Sequence, residues 1–238
     1  MKTKKKTLFY YLVLFWVVIY SSFDIYAQKS QDGKCIDEIK LAEQIPTATL
    51  SSLTTEELIQ EYLNSRYPGY ILIYNDIQDA FKHAYNDFNG LRELLQRQDA
   101  ATKLIEFYQK MDPSAYDLNW SSVKKGSFTF SFVFIEVLLA HERILDKITR
   151  SETKVLLSEL LKKNEYKILH PEKYSVIGVQ YNVYSIAKLL ESKGKNTGIS
   201  QTLSQTPEVN YLLKTGSLQN DEVISFVIQK AREFLSTY

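Results

Sequence analysis

The sequence predicts an all-α protein, an irregular array or bundle of about nine antiparallel helices in which HEAT-like helical hairpins are one arrangement. Three observations predict it. Apolar residues recur at helical spacing in long segments. Most of the glycines and prolines fall between those segments rather than inside them. The composition, 45% hydrophobic and 24% charged over 238 residues, supplies enough apolar surface for a folded core.

Residues 1–27 read as an export signal. Lys2, Lys4, Lys5 and Lys6 form a positive start, Leu8 to Tyr20 an apolar run, and Ala27 offers a small residue for cleavage. The 16 residues from Leu8 to Phe23 fall short of the ~20 that span a bilayer, so a cleaved signal is expected over a membrane anchor. The protein is thus expected to be exported, periplasmic or secreted, with membrane contact only through an uncleaved signal. The formal charge is +1, and removing residues 1–27 leaves 25 basic against 27 acidic residues, or −2. That balance lacks the basic footprint of a nucleic-acid binder. One cysteine, Cys35, excludes a disulfide framework or a multi-thiolate zinc site.

Residues 28–50 lack a strong period and are expected to be flexible, leaving 51–238 as the helical domain. The first helix starts at Thr54 or Thr55, with Glu56 and Glu57 suiting its positive end, and stops before Pro68. A helix over about Tyr70–Phe88 places Ile73, Ile77, Ala80, Phe81, Ala84 and Phe88 on one face. Short helices follow near Leu91–Arg97 and Asp99–Lys110, the second capped by Asp99. Residues 112–126 are the most loop-like internal stretch and the candidate subdomain boundary. Ser127–Ile148 holds helical spacing over five turns, and Ser151 opens a helix to about Leu169. Helices over Lys173–Ser192 and Pro207–Lys214 follow, separated by a polar stretch expected to be mobile. The last helix is capped by Asn220, carries Asp221 and Glu222 in its first turn, and runs an apolar stripe from Val223 to Leu235.

The segment Phe88-Asn89-Gly90-Leu91 through Met111-Asp112-Pro113 resembles exported, uncharacterised all-helical proteins with irregular HEAT-like hairpins. It covers under a quarter of the mature chain, contains no chemical motif and implies no active site.

Catalytic motifs are mostly absent. Gly194-Lys195-Asn196-Thr197-Gly198 has phosphate-loop residues in the wrong order, and His141-Glu142 lacks the second histidine of a zinc-peptidase helix, which makes His141 a core histidine. Asp79, His83 and Asp87, spaced by four, share a helix face with Asp76 nearby and are the candidate metal ligands. The simpler reading is the polar face of an amphipathic helix, so no metal or other cofactor is assigned. Glu142 and Asp146 repeat that spacing among Arg143, Lys147 and Arg150 as a solvated charged face. Tyrosine is abundant, with 17 in the chain, and Tyr174, Tyr181 and Tyr184 are the candidate partner-binding residues. The expectation is a noncatalytic interaction module for a protein, peptide or glycan partner. The alternative is an envelope hydrolase or lyase with dispersed carboxylates, metal-assisted through the Asp76–Asp87 face.

Overall fold

Six of the twelve described α-helices start at a side chain that accepts a hydrogen bond from an otherwise unpaired backbone amide. The computed structural model describes residues 44–74 and 76–237. The signal segment 1–27, Cys35 and the part of the N-terminal segment up to residue 43 lie outside the described residues. Twelve α-helices and three short 3-10 segments, with no strand, make up the described residues, as the periodicity predicts. Ile45–Tyr238 form one compact unit.

Helix α1 (Thr47–Leu50) is a single turn inside the stretch expected to be flexible. The Asn89 side-chain amide holds the preceding backbone, accepting from Ile45 N at 3.0 Å and donating to Ile45 O at 2.7 Å. Helix α2 (Thr55–Asn64) opens with a capping box between Thr54 and Glu57 and buries Leu58, Ile59 and Tyr62. The helix expected over Tyr70–Phe88 is two pieces, a 3-10 segment at Tyr67–Leu72 and helix α3 at Ile77–Asp87. Asp76 causes the break: its backbone is extended and its carboxylate accepts from the amides of Gln78 and Asp79. Ile77, Ala80, Phe81, Ala84 and Phe88 are buried as expected, whereas Ile73 precedes the helix and is exposed.

Helices α4 (Asn89–Gln96) and α5 (Ala100–Lys110) follow. Asp99 does not cap α5; its carboxylate instead accepts from the Thr55 hydroxyl at 2.8 Å, tying α2 to α5. A 3-10 turn at Pro113–Ala115 leads to helix α6 (Ser122–Leu139), which starts earlier than expected because Ser121 caps it. The long helix predicted to Ile148 ends here. His141 adopts an extended backbone and its Nδ1 accepts from Arg143 N, starting the short helix α7 (Glu142–Leu145). Helix α8 (Arg150–Leu169) opens with a Thr149–Glu152 capping box rather than at Ser151.

Helix α9 (Val176–Lys193) is the centre of the unit. Its residues from Gly178 to Leu190 are buried nearly all round, and it packs against α6, α8 and the three following helices. A helix apolar on every side must be covered on every side. The polar stretch after it is helical, a 3-10 turn at Lys195–Thr197 and helix α10 (Ile199–Gln205), because Ile199 and Leu203 reach the core. Helix α11 (Pro207–Thr215) ends at Gly216, which has φ 75°. A side chain there would meet Ile77, so the close approach requires glycine as well as the left-handed turn. Helix α12 (Asp221–Thr237) buries Val223, Val227, Ala231 and Phe234, and Asn220 accepts from Val223 N as predicted.

Candidate functional site

The face of α3 that carries Asp79, His83 and Asp87 is occupied by structural work. Asp79 and His83 are exposed, and the His83 ring stacks on Tyr74 at 4.4 Å. Asp87 is half-buried and accepts from the Tyr70 hydroxyl at 3.1 Å, while Asp76 caps the helix. Among the described residues no group of three or more His, Cys, Asp or Glu side chains converges closely enough to hold a metal ion.

Tyr174, Tyr181 and Tyr184 do not form an exposed patch. All three are buried. The Tyr174 hydroxyl donates to Pro113 O at 2.6 Å and that of Tyr181 to Ile71 O at 3.3 Å. Burial raises the pKa of each phenol. These rings pack in the core, and Tyr174 and Tyr181 send their hydroxyls to backbone carbonyls.

His141 is the core histidine the spacing indicates, with an added capping role. Its ring packs edge-on against Phe81 at 4.7 Å, and burial, helped by the Arg143 charge, lowers its pKa to about 4. Glu142 and Asp146 line a cleft of about 360 Å³ whose other walls include Lys188, Glu191 and Lys195. The basic residues beside them serve the fold. Arg143 lies over the Tyr85 ring, and Lys147 caps α4 by donating to the carbonyls of Leu95 and Arg97.

The densest polar chemistry lies where the sequence pattern shows only apolar stripes. Glu136 on α6 is fully buried, and its Oε1 accepts from Lys167 Nζ at 2.7 Å, the Tyr108 hydroxyl at 2.7 Å and Asn182 Nδ2 at 2.8 Å. Lys167 also donates to Gly178 O at 3.1 Å, and Ser185 Oγ lies 2.6 Å from Glu136 O. The cluster joins α5, α6, α8 and α9. Burial lowers the Lys167 pKa against the opposing pull of Glu136, and burial raises that of Tyr108. Three buried atoms, Glu136 Oε2, Asn164 Nδ2 and Asn182 Oδ1, have no hydrogen-bond partner among the described residues. With Glu136, Lys167, Tyr108 and Asn182 all sealed from solvent, this constellation cannot meet a substrate in this conformation. It holds four helices in register.

A signal for it was present. Leu156, Leu160, Lys163 and Lys167 continue one stripe at helical spacing, and Glu136 is the one acid between Phe128 and Ala140. Charge alone assigns such residues to solvent, and only the neighbouring helices show that they are inside.

The feature best suited to meeting a partner is the end of the unit where α6 begins, α8 stops and α9 starts. Half-buried and buried rings form a ladder there: Trp120 to Tyr116 at 6.1 Å, Tyr116 to Tyr174 at 5.7 Å, Tyr174 to Tyr166 at 6.3 Å and Tyr166 to His170 at 4.2 Å. Around it Leu118, Val123, Leu169 and Val176 are 51%, 75%, 68% and 70% exposed, with Ile168 and Ile177 also exposed. These six are most of the large hydrophobic side chains exposed among the described residues. Both signs of charge flank it: residues 112–125 carry Asp112, Asp117, Lys124 and Lys125, and 168–178 carry Glu172 and Lys173 besides His170.

No family model, no curated protein and no solved structure matches the chain.

Proposed function

We propose that this chain is an exported, noncatalytic binding protein whose recognition surface is the end formed by the starts of α6 and α9 and the close of α8. The single observation that carries the reading is the cluster of exposed aliphatic side chains around the Trp120–Tyr116 rings. Contiguous apolar surface costs free energy in water unless something covers it, and interface centres are depleted in charge and enriched in aromatic residues. Export is supported by the lysine-rich start and apolar run of residues 1–27.

The test is photo-crosslinking in the exporting cell with p-benzoylphenylalanine placed at Val176. The expected result is a discrete covalent adduct that is lost when Val123 and Leu169 are both changed to Asp. Absence of any adduct, or an adduct indifferent to those changes, overturns the reading.

A further inference from the structure

We infer that the partner covering this end is a second copy of the same chain, an inference that rests on the binding reading above and names its occupant. The argument is one of self-complementarity. In a two-fold interface the same patch meets itself, so every charge it carries faces the same set of charges again. A surface of one sign would repel its copy. This one is balanced: over residues 112–125 and 168–178, which bear the exposed aliphatic residues, Asp112, Asp117 and Glu172 carry negative charge and Lys124, Lys125 and Lys173 positive charge.

Neither Lys124 nor Lys173 makes an ion pair with a carboxylate among the described residues. Lys124 lies over the Trp120 ring at 4.1 Å, and Lys173 reaches the Tyr166 hydroxyl at 3.2 Å. Glu172 contacts His170 at 3.0 Å, and Asp117 accepts from the Asn119 amide at 2.8 Å. Both carboxylates keep further acceptor capacity, and each lysine keeps donors. A two-fold axis through the patch can therefore set acid against base on both sides while Leu118, Val123, Leu169 and Val176 cover one another. A lipid surface fits less well, because anionic headgroups favour an excess of lysine that this end lacks.

Sedimentation equilibrium of the purified exported chain over a concentration series tests this. The expected result is a reversible dimer whose dissociation constant rises at least tenfold in the Leu169→Asp/Val176→Asp variant. The same changes at Leu72 and Ile73, exposed residues of the 3-10 segment Tyr67–Leu72 and its end, should leave the dimer unchanged. Circular dichroism melts confirm that each variant folds. The charge argument has its own arm. An Asp117→Lys/Glu172→Lys chain and a Lys124→Glu/Lys173→Glu chain should each self-associate more weakly than the parent, and mixing them should restore a dimer. A wild-type chain that stays monomeric, a dimer indifferent to Leu169 and Val176, or no restoration on mixing overturns the inference. If the wild type is monomeric and the Val176 crosslinker captures a different protein, only the self-association falls and the binding reading stands.

Discussion

Replacing Lys167 by Met should be among the most damaging single changes in this protein. The ammonium is fully buried and donates to Glu136 Oε1 at 2.7 Å and to Gly178 O at 3.1 Å. Methionine fills similar volume without charge, so the carboxylate of Glu136 stays in the core with only Tyr108 and Asn182 as donors. Breaking a buried pair by removing one partner costs about 3–5 kcal/mol. In a domain of this size each kcal/mol moves the melting temperature by about 2–4 °C, which predicts a fall of about 10 °C. The double variant Glu136→Leu/Lys167→Met removes both charges, and Asn182 Nδ2 and the Tyr108 hydroxyl, already 3.1 Å apart, can still bond each other. It should therefore lose less stability than Lys167→Met alone, giving a coupling of about 2 kcal/mol or more in a double-mutant cycle. Urea unfolding of the four proteins measures this. A Lys167→Met cost below about 1 kcal/mol, or a double variant equal to the sum of its singles, refutes the claim that this pair bonds the four helices as a unit.

Three further outcomes follow from the geometry. His141, held near pKa 4 by burial against an unfolded value near 6.5, binds its proton more readily in the unfolded chain, so its contribution is complete above pH 6.5 and is lost as pH falls towards 4. That loss is at most about 3 kcal/mol, and His141→Asn, which keeps a capping acceptor, should flatten the melting temperature between those pH values. Gly216→Ala places a methyl group into Ile77 at a φ of 75° and should destabilise by about 2 kcal/mol or more, read by thermal melting; a neutral result would contradict the close packing of α11 on α3. Asp79→Ala and His83→Ala, on a face with no third ligand in reach among the described residues, should leave the melting temperature equally indifferent to zinc or chelator, and a zinc-dependent stabilisation of the wild type lost in both would restore the metal reading.

What the amino-acid sequence determined by itself is the helical class and the apolar stripes. Stripes such as Val223 to Phe234 and Ile77 to Phe88 were legible because helical period is a local property that burial then rewards. Breaks were harder to place. Asp76 and His141 sit in patterns that continue past them, and each stops its helix by accepting backbone amides, a choice between capping and continuing that periodicity does not register. Tertiary structure alone decided which polar residues are inside. Lys167 and Glu136 lie on core-facing stripes, but a buried charge needs a partner, and theirs come from other helices and are distant in sequence. It likewise decided that Tyr174, Tyr181 and Tyr184 go in while Val123, Leu169 and Val176 stay out. Exposure belongs to how neighbouring helices cover a site, and no residue carries that information in its own side chain.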